Sequence, residues 1–350
     1  MRTWREWLTG TAERVWYRPL HPLALLLAPL GWLYCGIALL RAFAYRRGWL
    51  LSGDCGAPVI VVGNLSVGGT GKTPLVIWLA AHLRQRGLKP GVVTRGYGGR
   101  AGTEPRRVGA ADSAADLGDE PLLLARRARC PVVVGRDRLA AARLLVDTAA
   151  CDVVITDDGL QHYRLRRDLE IVVIDAQRGH GNRRCLPAGP LREPVARARR
   201  ADLVIANGGG ASSALSMALR PGDLISLADQ QRTCSIAAFA GQRVTAVAGI
   251  GNPRRFFVLL RTHGLDVRPL AYPDHHPFSA ADIEQWPAGP VLMTEKDAVK
   301  VQELSACWLG DPRWGFWYLP VTAHPSVALV RELDHRLDRL GLPEARAASG

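Results

Sequence analysis

The chain has 350 residues, 48% of them hydrophobic, and its 45 Lys and Arg against 32 Asp and Glu give a formal charge of +13. That length fits one large domain or two ordinary ones with a full core, and it excludes a chain disordered by composition, a bias seen only in the Ala/Arg/Gly tail after Leu342. The charge predicts an anionic partner, whether nucleic acid, an anionic membrane surface or a phosphorylated substrate; the seven cysteines, odd in number and without a CxxC pair, exclude a disulfide framework or zinc site and fit a reducing compartment.

From Pro19 to Leu40 there is no Asp, Glu, Lys or Arg, and Arg41, Arg46 and Arg47 follow. Trp4, Trp7, Trp16, Tyr17, Trp32, Tyr34, Tyr45 and Trp49 surround the run. Aromatic residues beside basic ones suit the lipid headgroup level. The run is long enough to cross a bilayer. Pro22 and Pro29 interrupt it, so a helix lying in the interface fits as well, and a buried core helix is the third reading. A cleaved signal peptide is disfavoured, because the apolar run starts late and no small-residue cleavage site follows. Residues 1–50 are read as a membrane-associated helical segment.

After Gly56 short β-branched runs alternate with helical stretches. Strands are predicted at Val59–Val62, Gly91–Thr94, Val132–Val134, Asp152–Thr156, Glu170–Asp175 and Asp202–Asn207, with helices at Thr73–Gln85 and around Leu139–Asp147. Near-continuous apolar strands imply burial on both faces, hence an α/β fold of the P-loop type with a mostly parallel sheet and helices on both faces. A second set follows: strands Val244–Val247, Val267–Ala271, Val291–Thr294 and Phe316–Pro320, with helices Arg254–His263 and Ser326–Leu340. Polar residues around Leu227–Thr233 read as a linker. The predicted division is a core over 51–228, a smaller C-terminal α/β lobe over 229–342 and a tail over 343–350.

The first strand runs into Gly63-Asn-Leu-Ser-Val-Gly-Gly-Thr-Gly-Lys-Thr73-Pro74, and a helix follows. Strand–loop–helix is the context that gives a GK[ST] motif its meaning. Glycines let backbone N–H groups turn inward around phosphate oxygens, and the helix N-terminus adds partial positive charge. Ser66, Val67, Gly68, Gly69, Thr70, Gly71, Lys72 and Thr73 are the predicted nucleotide cradle, with Lys72 on the β/γ-phosphates and Thr73 on Mg²⁺. The usual pattern has Gly where Ser66 stands.

Such a loop needs a carboxylate to hold the metal. The apolar strand ending in Asp157-Asp158 has the form of a Walker B element, although strands often end in a turn Asp. Gly118-Asp119-Glu120-Pro121 precedes a helix, where capping is an equal reading. Asp274-His275-His276 places imidazoles beside a carboxylate, either a general base or a surface loop. Arg95-Gly-Tyr97 can bind an anion or only turn the chain. Leu191-Arg192-Glu193-Pro194 and Thr294-Glu295-Lys296-Asp297 read, taken alone, as salt-bridged surface.

These segments together resemble the tetraacyldisaccharide 4'-kinase (lipid A 4'-kinase) family. The resemblance rests on GNLSVGGTGKTP at 63–74, TRGYG at 94–98, GDEP at 118–121, DDGLQHYRLRRDLEIVVID at 157–175, LREP at 191–194, AGIGNPRRFF at 248–257, PDHHPFS at 273–279 and TEKDAVK at 294–300. It implies an ATP- and Mg²⁺-dependent transfer of the γ-phosphate to the 4'-hydroxyl of a tetraacyldisaccharide 1-phosphate, on the cytoplasmic face of the bacterial inner membrane. It implies Asp119 as catalytic base assisted by a histidine of the 275–276 pair, with His275 preferred. Lys72 and Thr73 would bind phosphate and metal, and Asp157 and Asp158 would orient the metal. Arg192 and Glu193, with Arg95 and Tyr97, would support the substrate. The implied partners are a lipid disaccharide and an anionic membrane surface, with no nucleic acid and no obligate protein partner.

Two other classes compete. A P-loop ATPase of the partitioning or assembly type usually carries a second lysine where Val67 stands. A nucleic-acid module would use the basic surface but lacks an RRM, zinc-finger or homeodomain signature. A kinase acting on another membrane or sugar acceptor is the nearer alternative.

Overall fold

The computed structural model describes residues 15–18, 20–100, 102, 104–208, 215–304 and 313–342. Trp4, Trp7, Pro19, Cys307 and the tail 343–350 lie outside the described residues.

Two sheets organise the chain. In sequence order the strands are β1 (Val59–Gly63), β2 (Pro90–Thr94), β3 (Arg106–Arg107), β4 (Val132–Val134), β5 (Val153–Asp157), β6 (Leu169–Asp175), β7 (Leu203–Asn207), β8 (Ser216–Pro221), β9 (Leu224–Ser226), β10 (Thr233–Cys234), β11 (Arg243–Ala248), β12 (Asp266–Ala271), β13 (Gly289–Thr294), β14 (Trp314–Leu319) and β15 (Val321–Pro325). The larger sheet has the order β15-β8-β7-β6-β1-β5-β2-β4-β3 and the smaller β10-β9-β14-β13-β11-β12. The centre of the larger sheet is parallel, and its two outermost pairs, β15–β8 and β3–β4, are antiparallel.

The sequence explains this arrangement. Strands β1, β2, β4 and β5 are buried along their whole length, as their unbroken apolar runs require. Alternate side chains feed opposite faces. Ile60 and Val62 pack with Leu75, Leu79 and Leu83 of the helix Lys72–Gln85, whereas Val59 and Val61 pack with Leu139, Ala142 and Leu145 of the helix Arg138–Ala149. The smaller sheet is likewise covered on both faces, by Phe256, Phe257 and Leu260 on one and by Ile283, Trp286 and Val301 on the other.

The lobes divide differently from the expected boundaries. Strand β9 lies before residue 229 yet pairs with β14 of the smaller sheet. Strand β15 lies before residue 342 yet pairs with β8 of the larger one. The helix Val327–Arg339 returns with it, because Leu329, Leu333 and Leu337 form one stripe that fits only the large core. The expected linker near Leu227–Thr233 is the connection of an antiparallel pair, closed by a Ser226 N–H donating to Arg232 O at 2.9 Å. The two passages between lobes lie side by side, with the Gly222 N–H donating to Pro320 O at 2.9 Å.

At the N-terminus, helices Pro22–Leu26 and Ala28–Arg46 follow one another. Both prolines sit in a first turn, where a missing N–H costs nothing. Ala24, Ala28, Gly31 and Ala42 face the body, and a Cβ on Gly31 would press on Ala188 and the Cys185 carbonyl. Leu26, Leu30, Trp32, Leu33, Ile37 and Leu40 are exposed. The longer helix is long and apolar enough to cross a membrane, with little of it buried.

Candidate active site

Strand β1 delivers the chain into the glycine-rich loop at the centre of the larger sheet. Gly71 caps the next helix with φ 87°, and a side chain there would collide with the Asn207 amide. That amide donates from Nδ2 to Thr70 O at 2.8 Å, fixing the loop from the end of β7. Ser66 needs no glycine, because it forms an extended bridge with Leu191, while Val67 N–H donates to Pro190 O at 2.8 Å. Gly68, with φ 111°, and Gly69 complete the turn.

The two residues after the loop meet the end of β5. Lys72 Nζ donates to Asn64 Oδ1 at 3.2 Å and lies 3.4 Å from Asp158 Oδ1. Thr73 Oγ1 donates to Asp157 Oδ2 at 3.2 Å. Parallel registry with β1 puts Asp157 opposite Val62, which explains why the acid pair and the loop share one sheet edge. Burial, with Glu120 and Asp158 adding to it, pushes the Asp157 carboxyl up to about 7 against the opposing Lys72 charge. Asp158 is only half-buried; desolvation acts to raise it, but Lys72 and Arg192 outweigh that and hold it well below the usual carboxylate range. Asp157 Oδ1 is buried without a hydrogen-bond partner. An orphaned carboxylate oxygen beside a threonine hydroxyl is a donor set of the hard-oxygen kind that Mg²⁺ takes.

Arg192 and Glu193 separate. Arg192 Nη1 donates to Asp158 Oδ2 at 2.7 Å. Glu193 turns away and accepts from Gln161 Nε2 at 3.2 Å and from the Tyr163 hydroxyl. Gln161 Nε2 also donates to Asn64 O at 3.2 Å, so Glu193 supports the loop from behind.

The second part of the site spans the lobes. Asp119 opens the helix Asp119–Ala128 and is only 2% exposed. Gly118 before it has φ 88°, and a side chain there would strike Tyr97 O. From the smaller lobe, His275 Nδ1 lies 2.9 Å from Asp119 Oδ1, and Lys300 Nζ lies 3.4 Å from Asp119 Oδ2. His276 points elsewhere, to Asp282 at 3.3 Å and the rings of Tyr272 and Phe278, which settles which of the two histidines faces Asp119. Tyr97 is exposed, with its ring 4.9 Å from His275. Burial acts to raise the Asp119 carboxyl. The His275 hydrogen bond and the Lys296 and Lys300 charges outweigh it and hold the group well below the usual range. Burial acts to lower His275, but its bond to Asp119 leaves it raised.

Lys296 corrects a sequence expectation. It is no surface residue: Nζ donates to Glu120 Oε1 at 3.0 Å and to Asp274 Oδ1 at 3.3 Å, and lies 3.3 Å from His275 Nε2. The lobes also touch at the loop, where a Cβ on Gly251 would lie 2.6 Å from Gly69 N, and Arg178 Nη1 donates to Gly251 O at 3.1 Å. Asn64, Gln161, Asn207 and Lys296 were not singled out as site residues. Asn64, Gln161 and Lys296 each lie inside a motif segment, GNLSVGGTGKTP, DDGLQHYRLRRDLEIVVID and TEKDAVK, and only Asn207 carries no such signal.

A cavity of about 340 Å³ opens between the N-terminal helix and the body, lined by Arg41, Tyr45, Arg136, Asp137, Arg138, His162 and Arg164, with Arg164 Nη1 donating to Asp137 Oδ2 at 2.6 Å. Arg138 is 2% exposed, and its Nε and Nη2 have no hydrogen-bond partner. Burial brings it down to about 10. Burial, with the charges of Arg138 and Arg95, brings His162 down to about 4. Arg95 is exposed nearby. Arg41 Nη1 donates to Gln161 O at 3.3 Å, so the N-terminal helix touches the segment that follows Asp158.

Residues 23–338 match the family model described as Tetraacyldisaccharide-1-P 4'-kinase. The tetraacyldisaccharide 4'-kinase of Alkalilimnicola ehrlichii is 51% identical over 317 residues, covering 90% of this chain and 92% of that one. The enzyme of the same name from Halorhodospira halophila is 49% identical over 322 residues, covering 91% and 95%. Among solved structures, LpxK from Aquifex aeolicus in complex with ATP superposes with a TM-score of 0.72 at 28% identity, covering 91% of this chain and 99% of that one.

Proposed function

The chain belongs to the tetraacyldisaccharide 4'-kinase family, and on that premise we propose that Asp119, held by His275, accepts the proton of the acceptor hydroxyl beside a nucleotide seated at Ser66–Thr73. The reaction is an ATP-dependent transfer of phosphate to tetraacyldisaccharide 1-phosphate. A sugar hydroxyl is a weak nucleophile at neutral pH, so an ionised carboxylate within reach of it aids the attack. The carrying observation is the Asp119–His275 contact, a buried carboxylate kept ionised by three neighbouring cationic or hydrogen-bonding groups.

The geometry supports a role for the remaining residues. Lys72 neutralises charge on the transferred phosphoryl group, and the loop N–H groups hold the phosphates in line. Thr73 and Asp157 would hold Mg²⁺, with Asp158 behind them bridged to Lys72 and Arg192. Bound there, Mg²⁺ supplies further neutralisation of the phosphate oxygens. Glu120 bears on Asp157 electrostatically, which supports reading the Asp119 helix and the metal pair as one site.

The acceptor's anionic head would enter the cavity at Arg138, whose Nη1 donates to Gly135 O and whose Nε and Nη2 are left for a charged partner. The N-terminal helix borders that cavity. Its small residues face the body and its large apolar ones face outward, which supports immersion in a membrane surface with the catalytic lobes on the cytoplasmic side. A transfer assay with labelled ATP and a disaccharide lipid tests the reading. Turnover should depend on the lipid and fall sharply in Asp119→Ala while ATP binding persists. Phosphate release to water at the same rate without lipid would favour a switch ATPase instead.

A further inference from the structure

The phosphate loop leaves β1 between two unlike neighbours. On one side β5 brings Asp157 and Asp158. On the other, beyond β6, β7 ends in Asn207. Two strand spacings place that end roughly 10 Å from β1. A triphosphate whose terminal phosphate faces Thr73 and Asp157 therefore runs its nucleoside end towards β7.

A cation from the smaller lobe stands there. Asn207 is 1% exposed and its Nδ2 is committed to Thr70 O at 2.8 Å, while Arg255 Nη2 lies 3.5 Å from its Oδ1. A Cβ on Gly208 would lie 3.4 Å from the same Nη2, so the guanidinium covers the bend that ends β7. Arg255 is half-buried, and among the described residues no carboxylate forms an ion pair with it. Asp175, which ends the adjacent strand β6, is taken up by its own turn, accepting from the Gln177 and Arg178 N–H groups at 2.9 Å and 3.2 Å.

The setting favours an anion. Arg255 lies in the first turn of the helix Pro253–Thr262, which carries no acid, and the positive end of the helix dipole opposes a cation at that place. Phe256 and Phe257, buried in the core of the smaller lobe, hold that turn where it is. Thr70 is 5% exposed and its Oγ1 has no hydrogen-bond partner, a donor that a phosphate oxygen would take.

We propose that Arg255 is a nucleotide-binding residue supplied by the smaller lobe: its guanidinium bonds the α-phosphate of a nucleotide seated at Ser66–Thr73. The proposal rests on the reading of that loop as the nucleotide seat. The planar guanidinium fork can offer two N–H groups to two phosphate oxygens. Lys72 then holds the transferred end of the triphosphate and Arg255 the other, one from each lobe. ADP keeps its α-phosphate, so this contact serves substrate and product alike.

The test uses the full-length enzyme in detergent micelles, with calorimetry reading the affinity for MgADP and, without lipid acceptor, for MgATP. Arg255→Ala should weaken both about 10- to 100-fold, as expected for a lost charge-assisted bond. Arg255→Lys should lose less. Arg254→Ala, at the exposed neighbouring position, should bind both normally. The KM for the lipid acceptor and the melting temperature should stay near their original values in all three. The ratio of kcat/KM for the Sp and Rp diastereomers of ATPαS should change in Arg255→Ala alone, a readout that lost packing would not move. Unchanged ADP affinity in Arg255→Ala would overturn the proposal. So would weakening of ATP alone, which puts the guanidinium on the γ-phosphate, an equal loss in Arg254→Ala, or an unmoved diastereomer ratio. Lys72→Ala separates the two readings. If it leaves both nucleotides bound as before, the seat and the Arg255 contact fall together. If it weakens them and Arg255→Ala does not, the seat stands and only the Arg255 contact fails.

Discussion

His275 Nδ1 lies 2.9 Å from Asp119 Oδ1, although the two residues are 156 positions apart and belong to different lobes. The pair proposed to act in catalysis is therefore assembled by the meeting of two lobes. Asp119→Ala should lower kcat by roughly 10²–10⁴, the usual contribution of a positioned base, with nucleotide affinity retained. His275→Ala, which leaves the carboxylate in place, should cost less. Near-normal turnover in the first variant, measured by transfer of labelled phosphate, would end the base assignment.

The contact at Gly251 makes a second prediction. A Cβ there would lie 2.6 Å from Gly69 N and 3.3 Å from Gly68 Cα, and both obstacles are backbone. Gly251→Ala should hold the lobes slightly apart and lower kcat by at least about tenfold, because an ångström of misplacement is enough. Its melting temperature should barely change. Kinetics unaltered by the substitution would show that the lobes need not approach this closely during turnover.

Metal dependence should follow the hydroxyl at Thr73. Thr73→Val keeps the shape and removes the donor to Asp157. The variant should require roughly tenfold more Mg²⁺ for half-maximal turnover, equivalent to one lost charge-assisted contact. Thr73→Ser should remain close to the original. A Mg²⁺ titration that superposes for Val and Thr would exclude the hydroxyl as a ligand.

Arg138 should show a conflict between stability and function. Its buried guanidinium leaves Nε and Nη2 unsatisfied. Arg138→Met should therefore hold or raise the melting temperature. The KM for the lipid acceptor should rise about 10- to 100-fold, as expected for a lost charge-assisted bond to phosphate. An unchanged acceptor KM would move the acceptor's anionic head elsewhere.

His162 makes a prediction about pH. Its folded value, brought down to about 4, lies below the ordinary imidazole value of about 6.5. The unfolded chain therefore binds more protons between those limits. The His162 contribution to stability is fully present above pH about 6.5 and is lost as the pH falls towards 4. A His162→Gln variant should lose stability less steeply over that window in chemical denaturation. Phosphate bound beside the ring should raise its NMR midpoint, since an anion favours the imidazolium.

The apolar stripe Leu26, Leu30, Leu33 and Ile37 is exposed, so changing it should affect location more than folding. Serine at all four positions should shift the protein from sedimenting vesicles to the supernatant, with stability altered by no more than roughly 0.5 kcal/mol per site. Continued sedimentation would point to another attachment.

Local signals in the sequence predicted much of the larger sheet. The run Val59–Gly63 followed by glycines and Lys72-Thr73 has one sensible conformation, and the acid pair after Val153–Thr156 has the same clarity. Long-range pairing had no such signal. Nothing local says that β9 joins β14, or that Val321–Pro325 returns to β8. His275 and His276 are adjacent and chemically identical, so only the fold distinguishes them. Lys296 looked like surface because a Glu-Lys-Asp cluster usually is, and its partners come from the opposite lobe. Arg138 sits in an Arg-Asp-Arg stretch, and Arg41 and Tyr45, which share its cavity, come from a helix some 100 residues earlier.

The side-by-side passages at Gly222 and Pro320 have a topological consequence. Everything from β9 to β14 leaves and re-enters the larger sheet at one hydrogen-bonded point, so the smaller lobe is an insert within a continuous host. Its motion relative to the phosphate loop is confined to the few backbone torsions of two adjacent strands, and a single staple across them would freeze it. The same adjacency means that the insert could be excised and the gap closed by a short turn. The remaining host would keep its glycine-rich loop but lose His275, the partner of Asp119.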